Sequence, residues 1–140
     1  AATWAANVWI GTTVEDQERA EQRLPYLLDV PAAVRFLSCE PLLGPLDLRP
    51  WLRRISDDDR TASDFQWDTS RRIGWVIVGG ESGPGHRPLN LTHARAIRDE
   101  CARWDVPLFF KQHGGRTPTA GGHLLDGVEF HEFPAVSTHG

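Results

Sequence analysis

The stretch WVIVGGESGPG, residues 75–85, decides the fold class. Its first four residues are all apolar, with no polar residue between them. Such a run is typical of a strand buried on both faces, and strands of that kind belong to parallel sheets covered by helices. A carboxylate, Glu81, follows the strand after two glycines. Because parallel α/β folds build their sites at the carboxyl ends of strands, Glu81 is the first candidate site residue.

Length and composition favour a single domain over residues 1–140, since 140 residues with 40% hydrophobic content can bury an ordinary core. The formal net charge of −4 gives no general attraction to nucleic acid, so a nucleic-acid partner stays an alternative without support from charge. The sequence shows neither an apolar run of membrane-spanning length nor a secretory leader. We therefore expect a cytoplasmic protein with no membrane partner.

Four segments have the composition of strands, and each ends at a charged residue. They cover residues 7–14, 33–39, 74–79 and 106–111. Between the first two, Ala20, Leu24 and Leu27 recur at helical spacing. Pro25 predicts a kink in that helix or the start of a second one. Asn90 predicts the N-cap of a helix that precedes the last strand.

This alternation of strands and helices predicts a parallel sheet with right-handed crossovers. An eight-stranded (βα) barrel takes about 250 residues, so the chain has room for roughly half of one. The predicted fold is therefore an α/β partial (βα) barrel of about four parallel strands with flanking helices. A C-terminal loop, or a hairpin turning at Asp126–Gly127, completes it. Residues 53–72, which are polar and charged, are interpreted as an exposed insertion.

A partial barrel leaves two open strand edges, which invite aggregation unless something covers them. The printed sequence contains no methionine and runs almost directly into a strand, so we interpret it as the C-terminal part of a longer ancestral protein. The cover for the edges would then be an N-terminal half, the chain's own C-terminal segment, or a second copy in a homo-oligomer.

One charged residue follows each predicted strand: Glu15, Glu40, Glu81 and Lys111. In a parallel sheet these four residues gather on one rim, where carboxylates bind a cation, an amine or hydroxyl groups and a lysine binds an anion. Gln112 lies beside the lysine and joins this candidate set. The alternative is that such charges only mark where the core meets water.

The glycine loop after the third strand is a candidate for binding a phosphate or a cofactor carboxylate through its backbone amides. It contains Gly79, Gly80, Ser82, Gly83 and Gly85. The alternative is a tight turn that leads only to the next helix.

No histidine or cysteine spacing is typical of a metal site, so no metal is predicted. Cys39 and Cys101 are interpreted as buried structural thiols. Arg95, Arg98 and Arg103 lie along one predicted helix. We interpret them as a solvated face, with a phosphate-binding stripe as the alternative.

Several motifs, taken together and in order over residues 7–133, resemble the C-terminal half of the phage "gene product 37 / gene product 68" family of uncharacterised proteins. They read NVWIGTTVEDQERAEQRLPYLL, PAAVRFLSCEPLLGPLDL, WVIVGGESGPGHRPL and PLFFKQHGG. That family is regarded as similar to radical S-adenosylmethionine barrels, with spore photoproduct lyase as a relative. His113 departs from the pattern, because tryptophan is more usual there.

The resemblance implies an iron–sulfur cluster and S-adenosylmethionine as cofactors, with the cluster held by an N-terminal cysteine-rich segment of the family. Two separated cysteines do not supply the three thiolates of such a cluster. We therefore expect no cofactor and no radical chemistry for this chain alone. Gly79-Gly80-Glu81 also resembles the motif that holds the amino group of S-adenosylmethionine in radical enzymes, although that motif normally follows an early strand.

Two sets of candidate site residues result. The candidate catalytic residues are Glu40, Glu81 and Lys111. The candidate cofactor-binding residues are Gly79, Gly80, Ser82, Gly83 and Gln112.

Three functions fit the sequence. The first is the C-terminal half of a radical S-adenosylmethionine-like enzyme, inactive without a cysteine-bearing half. The second is a non-enzymatic half-barrel of phage origin that binds another chain. The third is a cluster-free enzyme in which Glu40 and Glu81 act as acid and base, which requires a raised pKa in one of them.

Overall fold

The computed structural model describes residues 4–53 and 71–135. The described elements alternate between strands and helices along the chain. The strands are β1 (Trp9–Thr13), β2 (Val34–Cys39), β3 (Trp75–Val78) and β4 (Leu108–Phe110). The helices are α1 (Gln17–Leu28), α2 (Arg49–Leu52) and α3 (Leu91–Arg103).

The four strands form one all-parallel sheet in the order β1-β2-β3-β4, as the sequence predicts. Each strand is a little shorter than its predicted range, and the residues that it lacks connect to loops. Phe36 of β2 pairs with Gly11 on one side and with Trp75 on the other, which fixes the register across three strands. The sheet therefore carries all four strand ends on one rim.

Helix α1 begins at an N-cap, Asp16, whose side chain accepts a hydrogen bond from the amide of Arg19 at 2.9 Å. It continues through Pro25 as one helix, so the second helix that the sequence offers as an alternative to a kink does not begin there. Pro25 and Glu21 are both exposed. Because proline has no backbone N–H, the Glu21 carbonyl lacks its usual hydrogen-bond donor within the helix. Water can solvate this carbonyl instead.

Helix α3 begins at Asn90, whose side-chain oxygen accepts a hydrogen bond from the amide of Thr92 at 2.9 Å. This confirms the predicted N-cap. Ala94, Ile97 and Cys101 form the buried stripe of the helix. One apolar core joins this stripe to α1 and to one face of the sheet.

The opposite face of the sheet is aromatic. Its ring contacts centre on Trp75, whose ring centroid lies 5.7 Å from that of Phe36 and 6.4 Å from that of Phe109. Trp9 and Phe133 add ring contacts with Trp75 at 5.9 and 5.4 Å. The described helices pack on the other face, and on this face Phe133 is 60% exposed.

The C-terminal segment covers the outer edge of β4. Phe110 donates its amide to the Phe130 carbonyl at 2.7 Å, and Glu132 donates its amide to the Leu108 carbonyl at 3.0 Å. These bonds form a short antiparallel pairing that includes a bridge between Phe109 and His131. One of the two edges expected to need cover is thus covered by the chain itself.

The predicted hairpin turn is confirmed at Asp126–Gly127, where both residues have positive φ and Leu125 bridges Val128. Two arginines of α3 hold this turn. Arg95 and Arg98 both donate to the Asp126 carboxylate, at 2.8 and 2.5 Å. The side chains of Arg95 and Arg98 are 43% and 23% exposed, so they lie on a solvated face as predicted and in addition pair with a distant aspartate.

Most of the predicted insertion, residues 54–70, lies outside the described residues. Within the described part, no helix is long and apolar enough to cross a membrane.

Candidate functional site

The four charged residues predicted to gather on one rim all follow the carboxyl ends of parallel strands. Their side chains form three separate ion pairs. Glu40 pairs with Lys111, Glu15 with Arg23 of α1, and Glu81 with Arg87 of the following loop. The four residues therefore lie at one rim, as predicted. Among them, only Glu40 and Lys111 form an ion pair with each other in the described part of the chain.

Glu40 and Lys111 form the centre of the candidate site. The Lys111 Nζ atom lies 3.3 Å from Glu40 Oε1 and 3.4 Å from Oε2. Gln112 donates its side-chain amide to Glu40 Oε1 and to the Gly80 carbonyl, both at 3.0 Å. The Glu40 side chain is 26% exposed and that of Lys111 is 54% exposed. A carboxylate held by Gln112 beside a more exposed ammonium group is thus accessible to a ligand from solvent.

Gly79 explains why Glu40 and Lys111 meet although they belong to β2 and β4, which are not neighbours. Continuing the register of Cys39, Val78 and Phe110 by one residue places Gly79 between the two charged residues. A Cβ atom on Gly79 would lie 3.2 Å from Glu40 Cδ and 3.3 Å from Gln112 Nε2. The missing side chain therefore leaves the space through which Glu40 reaches Lys111.

Gly80 serves a different purpose, which is a close approach of two loops. A Cβ atom there would lie 1.9 Å from the His113 carbonyl oxygen, so no other residue fits. Gly114 meets the same requirement from the other loop, since its Cβ would lie 2.3 Å from the Glu81 carbonyl oxygen and its φ is +81°. The glycine loop and the loop after β4 thus run side by side at the rim.

The loop amides predicted to bind an anion are already used within the chain. Gly79, Gly80 and Gly83 donate their amides to the carbonyls of Cys39, Gln112 and Gly115, at 3.1, 2.9 and 2.9 Å. These three amides are therefore occupied within the chain, which disfavours anion binding by them. Their glycines instead shape the loop around the charged pair.

Glu81 lines the cavity at this rim, but its carboxylate belongs to Arg87. Arg87 donates Nε to Glu81 Oε2 at 2.7 Å and Nη2 to Oε1 at 3.2 Å. Hydrogen bonding from this guanidinium lowers the pKa of Glu81. An acid–base mechanism that needs Glu81 protonated at neutral pH is therefore disfavoured.

Glu15 lies at the end of the sheet, where Arg23 holds it. Arg23 Nη1 lies 3.2 Å from Glu15 Oε2 and donates to the Thr13 carbonyl at 2.7 Å. These contacts connect the middle of α1 to the end of β1. Glu15 is accordingly a structural residue in this geometry.

A cavity of about 320 Å³ lies at the rim beside the Glu40–Lys111 pair. Its wall includes Gly80, Ser82 and Pro118 besides the charged residues. The Ser82 hydroxyl oxygen is buried, with no hydrogen-bond partner in the part of the chain that the structure describes. Because buried polar atoms normally have partners, this hydroxyl is ready to bond a ligand or a water molecule.

The model of the family described as "Protein of unknown function (DUF5131)" matches residues 1–134. The chain belongs to this family. No curated protein matches it, and no solved structure does.

Membership of DUF5131 confirms that the chain comes from an uncharacterised family, as the sequence motifs indicate. The family description names no activity, so any function must come from the geometry of the rim. Neither a phage origin nor a relation to radical enzymes follows from this match.

The two thiols do not belong to the candidate site. Burial raises the pKa of Cys39, and it raises the pKa of Cys101 to about 12. Both side chains are therefore neutral at physiological pH. Among residues 4–53 and 71–135, no group of three or more His, Cys, Asp or Glu side chains could hold a metal ion.

Sequence reasoning missed two partners of the rim residues, Arg23 and Arg87. Helix periodicity alone assigns Arg23 to a solvated position. Arg87 follows the glycine loop by two residues, and only the turn at Gly83 and Gly85, both with positive φ, brings it back to Glu81. No local pattern in the sequence indicates either contact.

Proposed function

We propose that this chain is the ligand-binding part of a (βα)-barrel enzyme of the radical S-adenosylmethionine type. The enzyme would work in the cytoplasm together with a segment that carries the cluster-binding cysteines. The observation that carries the proposal is the Glu40–Lys111 pair, held across Gly79 beside an open cavity at the carboxyl rim. Sites in (βα) barrels form at this rim.

The strand order supports the barrel. Each strand lies next to its predecessor in the chain, and the helices pack into one core on one face of the sheet. A barrel is built by repeating this arrangement, whereas a doubly wound sheet reverses its strand order and has helices on both faces. The open aromatic face would then point toward the barrel interior.

An iron–sulfur cluster does not fit the described residues. Cluster ligation requires thiolates, while Cys39 and Cys101 are buried neutral thiols on a strand and a helix. A segment with suitable cysteines would have to hold the cluster.

S-adenosylmethionine fits the rim by its charges. The Glu40 carboxylate suits the ammonium group of its methionyl end, the Lys111 ammonium suits the carboxylate, and the Ser82 hydroxyl offers a further hydrogen bond. When bound and reduced, this cofactor supplies hydrogen-atom abstraction chemistry. The chain's own contribution is to bind and orient the charged end, with Gln112 fixing the Glu40 carboxylate.

Binding of such a ligand replaces the Glu40–Lys111 pair by two new pairs. A surface ion pair contributes only about 0–1 kcal/mol, so separating it costs little. The more exposed Lys111 is the partner that moves, since Gln112 holds Glu40 in place. The site therefore favours ligands that carry both charges over ligands that carry one.

Calorimetric titration with S-adenosylmethionine tests the proposal. We expect saturable binding that Glu40→Gln and Lys111→Ala each weaken by about tenfold, which corresponds to the loss of one charge-assisted interaction. Glu18→Gln is the matched control, because Glu18 pairs with an arginine on the surface of α1. Absence of saturable binding, or equal binding by all variants, would contradict the assignment.

A non-enzymatic module of phage origin that binds another chain is the second candidate function. The open aromatic face favours it, because both faces of an all-parallel sheet are normally covered. Sedimentation of the purified chain distinguishes a homo-oligomer from a monomer. Restoration of cluster binding by co-expression with a cysteine-bearing half would support the enzyme instead.

A further inference from the structure

A second cleft lies between α2 and the end of α3. Its volume is about 500 Å³. The lining residues are Asp47, Arg49, Pro50, Arg53, Arg103 and Trp104. The last residue of α3, Arg103, and its C-cap, Trp104, line one side of this cleft. It shares no lining residue with the cavity beside Glu40 and Lys111.

The three arginines of the cleft are held in different ways. Arg49 forms a forked pair with Asp47, in which Nε and Nη2 lie 2.9 and 2.7 Å from the two carboxylate oxygens. Arg103 lies over the Trp104 ring, 5.0 Å from its centroid. Within the described part of the chain, neither Arg53 nor Arg103 forms an ion pair with a carboxylate. The positive charges of Arg53 and Arg103 are thus not paired with a carboxylate in the described part of the chain.

The ring of Trp104 positions the Arg103 guanidinium group, which can then bind an anion. The Trp104 ring holds the guanidinium carbon 5.0 Å from its centroid and leaves the N–H donors of Arg103 without a carboxylate partner in the described part of the chain. The Trp104 ring is itself fixed, because its Nε1 atom donates to Glu100 Oε2 at 3.0 Å. That carboxylate is therefore engaged by the indole, and the Asp47 carboxylate is engaged by Arg49.

The carboxyl ends of the two flanking helices do not repel an anion as strongly as bare helix ends would. Arg72 Nη1 donates to the carbonyls of Leu52 and Trp104, both at 3.2 Å. These carbonyls belong to the last residue of α2 and to the C-cap of α3. One guanidinium thereby offsets the negative ends of both helix dipoles.

We propose that this cleft binds the phosphate group of a nucleoside phosphate, with Arg53 and Arg103 as the phosphate ligands. Guanidinium groups match the geometry of phosphate oxygens, and two such groups at one opening suit a doubly charged phosphate. The cleft volume exceeds that needed by an inorganic phosphate ion. Pro50 and the edge of Trp104 supply an apolar wall for a ring attached to the phosphate.

Titration with AMP, inorganic phosphate and adenosine at low salt tests this site. We expect AMP to bind more tightly than either of the other two, because only AMP uses both the arginines and the apolar wall. Arg53→Gln and Arg103→Gln should each weaken AMP binding by about tenfold. Arg116→Gln is the matched control, since Arg116 is an exposed arginine on another loop.

Circular dichroism of each variant establishes that it is folded. A parallel titration with a single-stranded oligonucleotide distinguishes the source of the phosphate. Binding of the strand that is tighter than AMP and weakened by the same two variants would identify nucleic acid, whereas binding of AMP alone would identify a free nucleotide. The proposal is overturned if neither probe saturates, or if both variants bind AMP as well as the unmodified chain does.

Discussion

Glu40 and Lys111 form an ion pair across Gly79, although the strands that precede them are separated by a third strand. A Cβ atom at the middle position would lie 3.2 Å from Glu40 Cγ and Cδ, which is closer than an ordinary contact. The same glycine borders Gln112, which holds the carboxylate in place. Gly79 therefore contributes to the site because it has no side chain. A substitution of Gly79 tests the geometry of the Glu40–Lys111 pair directly.

Gly79→Ala should weaken ligand binding more than folding. The added Cβ would lie 3.2 Å from Glu40 Cγ and Cδ, so the flexible glutamate must move by a few tenths of an ångström. We expect a loss of about 1 kcal/mol or less in unfolding free energy, and at least a severalfold loss of S-adenosylmethionine affinity. Urea unfolding and calorimetry measure the two quantities. A variant that binds normally would show that the position of Glu40 is not important.

Gly80→Ala should instead destabilise the fold. Its Cβ would lie 1.9 Å from a backbone oxygen, which cannot move away as a side chain can. We expect a loss on the order of 3 kcal/mol or more in unfolding free energy. Gly74→Ala is the control, because its Cβ would meet Val34 Cγ1 at an ordinary 3.7 Å. Equal stability of the two variants would show that the two rim loops are not in close contact.

Local patterns in the sequence were sufficient for the strands, the N-cap and the turn. An apolar run such as Trp75–Val78 and a cap such as Asn90 depend on neighbouring residues only. The turn at Asp126–Gly127 likewise follows from two residues that tolerate positive φ. These features could be predicted because the physical cause and the sequence signal lie in the same few residues.

Contacts between distant residues were not predictable in this way. The sequence places Glu40 and Lys111 on one rim, but it does not say which of four charged residues will pair. That choice depends on the size of Gly79 and on the register of three strands. The contact of Asp126 with Arg95, 31 residues away, depends in the same way on how the C-terminal segment returns to α3.

The aromatic face of the sheet gives a prediction about packing. A Cβ on Gly11 would lie 2.3 Å from the Phe36 ring, so Gly11→Ala should cost about 1–3 kcal/mol. In a Phe36→Ala background the same change should cost about 0.5 kcal/mol or less, because the ring is gone. A double-mutant cycle by urea unfolding measures the coupling. Additive effects would mean that Phe36 does not lie across Gly11.

The hairpin turn gives a prediction about pH. Hydrogen bonds from Arg95 and Arg98 lower the pKa of Asp126 below that of an unfolded aspartate, which is about 3.9. A lowered pKa in the folded state means that the carboxylate stabilises the fold above pH ~4, and that this contribution is lost as the pH falls toward the folded-state value. Asp126→Asn should therefore reduce stability at pH 7 and have less effect at pH ~3.

The matched control for this prediction is Asp105→Asn. Asp105 and Asp126 both have positive φ, at 55° and 51°, and asparagine tolerates this conformation. No ion pair of Asp105 is present in the described part of the chain. Thermal unfolding of both variants across the pH range separates the effect of charge from that of the turn. A deficit of Asp126→Asn that stays constant with pH would contradict the role of the arginines.

The thiols test where the proposed radical chemistry must reside. Cys39 and Cys101 are 0% and 1% exposed, and burial raises the pKa of both thiols. A thiol-specific reagent should therefore leave the native chain unmodified and label both cysteines after unfolding, because the thiolate is the reactive form. Anaerobic reconstitution of this chain with iron and sulfide should give no cluster absorbance, since two separated thiols do not replace three thiolate ligands. The variant with both cysteines replaced by alanine should behave identically in the reconstitution. A stoichiometric cluster that appears in the unmodified chain and disappears in this variant would show that the described thiols rearrange to bind iron, and the need for a separate cysteine-bearing segment would then be removed.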